Sequence, residues 1–185
     1  MKMVKSERLS HFCLRWEMEA EDFLETFNPS GEPEVTYLLY EIQWGNSRRV
    51  WRNWCRSIHP EHAEMIFLEN EEIHDRPHIP CNITWFLTWT PCGACAHDII
   101  EFLDERPNVT LDIRASQLYR PHDRRNRRGL RYLAEEGVQI SIMDLSDYDY
   151  CWDTFVDHQG EMVQWDFSDE IWFNSQRLQS ILNPF

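Results

Sequence analysis

The chain has 185 residues, 42% of them hydrophobic, with nine tryptophans and a formal net charge of −14. That length fills one packed core and not two, which predicts a single domain over residues 1–185. No apolar run reaches the length of a membrane span, and the polar residues 1–10 hold no signal-peptide core, so the expected setting is intracellular, in the cytoplasm and/or nucleus.

Residues 1–14 read as a loose lead-in. Over 17–27, Met18, Phe23, Leu24 and Phe27 recur at helical spacing among acids, which predicts a helix. Asn28-Pro29-Ser30-Gly31 stops it. The run 36–42 is rich in β-formers, and Val50-Trp51 with its flanks reads as its hairpin partner across a Gly45-Asn46-Ser47 turn. Residues 61–70 predict a helix with Met65, Ile66 and Leu68 facing inward, and 71–80 a loop. A strand over 83–89 then leads into a helix over 92–105 whose apolar face is Ile99, Ile100, Phe102 and Leu103.

The second half repeats the alternation. Residues 109–116 predict a strand, 117–122 a loop, and 123–136 an arginine-rich helix ended by Gly137. A strand over 138–143 follows, then helices over 147–158 and 167–182. No repeat or low-complexity linker interrupts the chain. Strands separated by helices in one compact chain predict an α/β layered fold.

Two short pieces carry chemistry. His62-Ala63-Glu64 and Pro91-Cys92-Gly93-Ala94-Cys95 are separated by 26 residues, room for the rest of a helix, a loop and a strand. An imidazole and two thiolates make three ligands for a zinc ion, Zn2+. A structural site closes with a fourth protein ligand, whereas a catalytic one keeps that position for water. Cys92 and Cys95 at i and i+3 can face one ion from the first turn of a helix, whose positive end favours thiolates. Glu64 lies too close to His62 to share its helix face and can serve as a proton shuttle instead of a ligand. A lone Cys-x-x-Cys also fits a redox motif or a structural zinc module, and Cys81, His74 and His78 are near enough in sequence to complete one. The paired His-x-Glu and Pro-Cys-x-x-Cys match the pattern of the zinc nucleobase deaminases. The other four cysteines, Cys13, Cys55, Cys81 and Cys151, read as buried thiols of a reducing compartment.

The chain resembles the AID/APOBEC family of polynucleotide cytidine deaminases. The resemblance rests on His62-Ala63-Glu64, on Trp85-Phe86-Leu87-Thr88-Trp89-Thr90-Pro91-Cys92, on Leu118-Tyr119, and on Tyr150-Cys151-Trp152-Asp153-Thr154-Phe155-Val156. It covers residues 23–181. The stretch 81–143 is most similar to the apolipoprotein B mRNA-editing branch, and 151–160 to the antiviral branch. The resemblance implies the cytidine-deaminase fold, a five-stranded mixed sheet flanked by about six helices. It implies zinc as cofactor and single-stranded DNA and/or RNA as the partner, with room for an accessory RNA-binding protein or a homo-oligomer.

The same resemblance distributes roles. A cytosine hides C4 inside a duplex, so the enzyme needs a single strand or a flipped base. Trp89 and Tyr119 would wall the flipped base, and Thr36 would contact the target nucleotide. Thr90 and the backbone amides near Ala63 and Cys92 would complete the base site. Asn53 is the asparagine available before His62 for the target sugar, although it sits farther from that histidine than the family pattern expects. The loop Arg120-Pro121-His122-Asp123 occupies the place that sets the preferred 5′ neighbour, with Arg120 where some relatives use a small or acidic residue.

Net charge −14 is unusual for a nucleic-acid enzyme, but the charge is segregated. Arg48, Arg49, Arg52 and Arg56 form one cluster, and Arg114, Arg120, Arg124, Arg125, Arg127, Arg128 and Arg131 another. These two stretches hold 11 of the 18 basic residues and one acid, leaving −24 elsewhere. Arg52, Arg56, Arg124, Arg125, Arg127 and Arg128 are the candidates for phosphate contact, against the alternative of an exposed face that pairs with nearby carboxylates. Two other functions compete with editing: a free cytidine or deoxycytidine deaminase, which needs no extended basic groove, and a nucleic-acid-binding protein whose zinc is structural. Glu64 separates the last, since a purely structural site has no use for that carboxylate.

Overall fold

A computed structural model describes residues 17–69 and 78–183 of the chain. Seven strands and six helices are present among them. Strand β2 (Tyr37–Trp44) lies between β3 (Val50–Arg56) and β4 (Cys81–Trp89), antiparallel to both. Beyond β4 come β5 (Val109–Gln117) and β6 (Gln139–Ile142), each parallel to its neighbour. The five-stranded order is therefore β3-β2-β4-β5-β6, a mixed sheet. Parallel neighbours need crossovers, and helices supply them: α3 (Gly93–Asp104) joins β4 to β5, and α4 (Arg124–Glu135) joins β5 to β6.

Both faces of the sheet are covered over much of its area, so its central strands are apolar on both sides. Leu38, Tyr40 and Ile42 of β2, with Ile83, Trp85 and Leu87 of β4, face one core, which α2 (Ala63–Leu68), α3, α4 and α6 (Ser168–Leu182) complete. Tyr37, Leu39, Trp54 and Phe86 face the other, closed by α1 (Ala20–Thr26) and α5 (Leu145–Phe155). Phe67 seats α2 on the sheet. Its ring meets Tyr40 and Trp85 edge-on, each at a centroid distance of 4.8 Å.

Several boundaries move for identifiable reasons. The helix predicted over 17–27 starts only at Ala20, because Met18 and Glu19 form a short strand β1 that pairs in parallel with Val156 and Asp157 of β7. The same pairing ends α5 at Phe155 instead of 158. At its other end, α5 starts at Leu145 rather than 147. Asp144 is its N-cap: the side chain accepts from the Asp147 amide, while Asp147 reciprocally accepts from the Asp144 amide. On α2 the inward residues are Ala63, Glu64, Phe67 and Leu68, with Met65 and Ile66 only half-buried. Residues 1–16 and most of the predicted loop over 71–80 lie outside the described residues, as do Cys13 and His74.

Helices α3 and α4 approach at two glycines. A Cβ on Gly93 would stand 2.8 Å from the Arg125 carbonyl oxygen, and one on Gly129 would stand 2.8 Å from the Ala96 Cβ. Neither neighbour is the flexible end of a long side chain. Gly129→Val therefore forces the helices apart, and a loss of about 1–3 kcal/mol is expected, read as a lower urea midpoint with an unchanged slope.

Candidate active site

The carboxyl ends of β4 and β5 lie side by side, with Trp89 in register with Gln117. Side chains and helix starts following parallel strands collect at such an edge. After β4 the chain runs through Thr90 and Pro91 to Cys92, the N-cap of α3. The Cys92 sulfur accepts from the Cys95 amide at 3.5 Å, which folds the two sulfurs onto one side of the first turn. His62 is the N-cap of α2 and not part of that helix. Its extended backbone turns the imidazole across to α3, where Nδ1 lies 3.2 Å from Cys95 Sγ and 3.6 Å from Cys92 Sγ.

Those separations suit a metal. Bonds of about 2.0–2.3 Å at a tetrahedral ion place its donors about 3.5–3.8 Å apart. The donor atoms of His62, Cys92 and Cys95 all lie within 4.8 Å of one another, and no fourth His, Cys, Asp or Glu joins the group among the described residues. Cys81 begins the nine-residue β4 and so stands roughly 26 Å from its site end, too far to ligate. The donor set, two sulfurs and an imidazole with one position open, fits zinc in its catalytic form.

The electrostatics agree. The contact between the two sulfurs pulls the Cys92 thiol down to about 5, with the Cys95 and Ala94 backbone amides adding to the fall, and pushes Cys95 up. A divalent cation would displace the shared proton and make both thiolates. Glu64 sits one turn into the site, 4% exposed. Burial pushes its carboxyl up to about 7, and the charge of Cys92 adds to the rise. A carboxyl poised there holds or releases a proton near neutrality.

Trp89 and Tyr119 stand together at the mouth, their rings edge to face at 6.2 Å. Each is half-buried. Trp89 Nε1 donates to the Pro33 carbonyl, fixing the ring against the loop that leads into β2. Thr36 precedes β2 at this same end and exchanges hydrogen bonds with Ser57 through its own backbone. Ala63 is fully buried beside Glu64, where its carbonyl accepts from the Cys55 thiol. Arg120 follows Tyr119 at a φ of 39°, with its guanidinium 5.2 Å from the Tyr119 ring centre.

Other candidates are placed elsewhere or differently. Thr90 is 2% exposed, and its hydroxyl accepts from the Tyr119 amide. That bond ties the Tyr119 backbone to the residue two before Cys92. Asn53 is paired with Tyr40 in the middle of β3, three residues from the site end, and its side-chain oxygen accepts from the Trp54 amide. The structure does not bring it to the metal group. Arg52 and Arg56 alternate with Cys55 along β3 and so point to the sheet face opposite α2. Arg52 is tied to Glu41 at 2.6 Å and Arg56 reaches the Tyr37 hydroxyl. Arg114 is spent likewise, on Asp112 and Asp147. By contrast, Arg124, Arg125, Arg127, Arg128 and Arg131 have no side-chain hydrogen bond or ion pair among the described residues. They project from α4, whose N-terminus follows the Tyr119 loop.

Sequence reasoning missed Asn126. It is buried in the middle of the arginine run, where its Oδ1 accepts from the Gly93 amide at 2.9 Å and its Nδ2 donates to the Tyr119 carbonyl at 3.2 Å. A signal existed: an asparagine and a glycine inside a twelve-residue helix are poor helix formers, and both face α3.

A model of the APOBEC4-like AID/APOBEC-deaminase family matches residues 26–158, a span that includes every residue of the metal group and both aromatic walls. The chain belongs to the AID/APOBEC deaminases. Among curated relatives, the C->U-editing enzyme APOBEC-1 of Monodelphis domestica is 43% identical over 162 residues, 86% of this chain and 68% of that protein. The Mus musculus C->U-editing enzyme APOBEC-1 is 45% identical over 147 residues, 78% of this chain and 64% of the relative. The DNA dC->dU-editing enzyme APOBEC-3Ca of Felis catus is 41% identical over 145 residues, 71% and 72% of the two chains. The chain thus spans about two thirds of the length of the APOBEC-1 relatives it matches. The relatives are editing enzymes of both kinds, C to U and dC to dU. The five-stranded mixed sheet with its helices is the fold that the sequence resemblance implied.

Proposed function

We propose that this chain is a zinc-dependent hydrolase that converts cytosine to uracil in single-stranded DNA, RNA or both. The observation that carries the reading is Glu64, buried within the first turn of the helix that His62 caps, beside a three-donor group with its fourth position open. Zinc held by His62, Cys92 and Cys95 would supply Lewis acidity and an activated water. The rest is the work of the chain. Trp89 and Tyr119 receive the unstacked pyrimidine and orient C4 toward Glu64. Glu64 takes one proton from the attacking water and gives it to ring N3, then carries the proton of the new C4 hydroxyl to the amine, and ammonia leaves as the C4 carbonyl forms.

The arginines of α4, unpaired among the described residues, continue from the Tyr119 loop and suit a phosphate backbone more than the charge-paired Arg52 and Arg114 do. Replacing Arg124, Arg125, Arg127 and Arg128 with glutamine is expected to weaken oligonucleotide binding. It should also flatten the slope of log affinity against log salt by about 3, on the single-strand value of about 0.7 per phosphate. An unchanged slope would make the helix a solvated face. No helix among the described residues is long and apolar enough to cross a membrane.

The reaction is tested with a single-stranded DNA oligonucleotide that holds one cytosine, the matching RNA, and free cytidine in parallel. Uracil in a strand, with free cytidine untouched, is the expected result, and the DNA to RNA ratio assigns the substrate. Zinc and strand binding without conversion of any of the three would leave a binding protein with a structural metal.

A further inference from the structure

The Tyr119 backbone is held at both of its polar groups by side chains that belong to other elements. Its N–H donates to Thr90 Oγ1 at 3.0 Å. Its carbonyl accepts from Asn126 Nδ2 at 3.2 Å. The two holders reach back to opposite sides of the metal loop. Thr90 precedes Cys92 by two residues and is itself anchored, its amide donating to the Gln117 carbonyl at 2.9 Å. Asn126 accepts from the amide of Gly93, the residue directly after Cys92, at 2.9 Å. Because a backbone N–H can only donate and a carbonyl can only accept, these partners fix which way the Asn126 amide faces.

Both holders are buried, Thr90 at 2% and Asn126 at 7% exposure, so water cannot take over a lost bond without cost. The packing keeps them there. Gly93 and Gly129 let α3 and α4 approach closely enough for one asparagine to span the gap. Immediately past the held carbonyl, Arg120 turns at a φ of 39°, a conformation that surrounding structure must enforce on a residue with a side chain.

We propose that Asn126 and Thr90 are positioning residues that clamp Tyr119 to the metal loop, fixing the spacing between the aromatic wall and the His62, Cys92 and Cys95 group. The inference rests on the reading of Trp89 and Tyr119 as walls of a cytosine site. In physical terms, the clamp makes the wall and the metal group one rigid unit, although they come from different strands. Its loss lets the wall drift while each half stays folded.

Asn126→Asp separates the two bonds that the asparagine makes. The carboxylate still accepts from Gly93, at a helix start that favours negative charge. It presents an oxygen to the Tyr119 carbonyl, so that bond becomes a repulsion. Thr90→Val removes the other bond at nearly constant volume, and Thr90→Ser restores a hydroxyl. Amide hydrogen exchange of the full-length proteins reads the clamp without any turnover. In Asn126→Asp and Thr90→Val the segment 119–123 should exchange at least about tenfold faster, the value of one hydrogen bond, with zinc content at the parental level. In the deamination assay kcat/KM should fall at least about tenfold with kcat sharing in the loss, because a wall that drifts no longer holds C4 toward Glu64. Thr90→Ser should behave as the parent. Unchanged exchange over 119–123 would overturn the clamp whatever the activity. So would a parallel fall in zinc content and melting temperature, since that would make both residues simple supports of α3. If the parent protein itself deaminated no cytosine, the proposed reaction would fall, while the exchange result would still decide the clamp.

Discussion

Glu64→Gln is expected to bind zinc and single strands as the parent protein does, and to deaminate cytosine about 10²- to 10⁴-fold more slowly, the usual contribution of a positioned acid–base group. The substitution is nearly isosteric, so the half-turn after His62 keeps its shape and the metal donors keep theirs. What it removes is the ability to accept and return a proton, and the buried carboxyl, pushed up to about 7, is poised for that exchange. Stability separates this role from a structural one. Burial disfavours the charged carboxylate, so replacing it with a neutral amide should leave the melting temperature equal or higher. A structural glutamate would behave in the opposite sense, with a lower melting temperature and activity reduced only in proportion to unfolded protein. Activity within about threefold of the parent would assign the proton transfers to another group.

The layered α/β fold and the metal group were legible in the chain because their signals are local. Period-two and continuous apolar runs mark β2 and β4, and the Cys92 and Cys95 spacing is set by one helical turn. Glu64 was legible because two residues along a helix start places it on a different side from His62. Trp89 and Tyr119 followed from resemblance and not from pattern, since an aromatic beside a strand end is most often core. The rest depended on partners distant in sequence. Nothing local says that Met18 pairs with Val156, yet that pairing trims two helices. Nothing local says that Arg52 and Arg114 are neutralised by Glu41, Asp112 and Asp147, while the equally basic α4 finds no such partner among the described residues. Strand alternation could have warned that Arg52 and Arg56 face away from α2, given that Cys55 faces it. Asn126 and Thr90 were hidden for the same reason: their significance lies in who accepts and who donates across 29 residues for the Thr90 bond and 33 for the Gly93 bond.

Cys95→Ala should reduce bound zinc from one ion per chain to near none and should lower stability by more than the loss of one sulfur from a core, about 1 kcal/mol, can account for. The reasoning is thermodynamic linkage. An ion that binds the folded chain and not the unfolded one adds its binding free energy to folding. Cys95 is 3% exposed and lies between the core of α3 and the His62 ring, so no water or surface residue can take its place as a donor. The two protein donors left, His62 and Cys92, would then hold zinc only weakly. The control is Cys55→Ala, which removes an equally buried thiol that bonds the Ala63 carbonyl and takes no part in the donor group. That variant should keep its zinc. A chelator completes the cycle. Adding one to the parent should lower its melting temperature most of the way to that of Cys95→Ala, while the same chelator should leave Cys95→Ala unmoved. If the chelator destabilised both proteins equally, the ion would be held elsewhere, and His62, Cys92 and Cys95 would be a hydrogen-bonded trio without a metal.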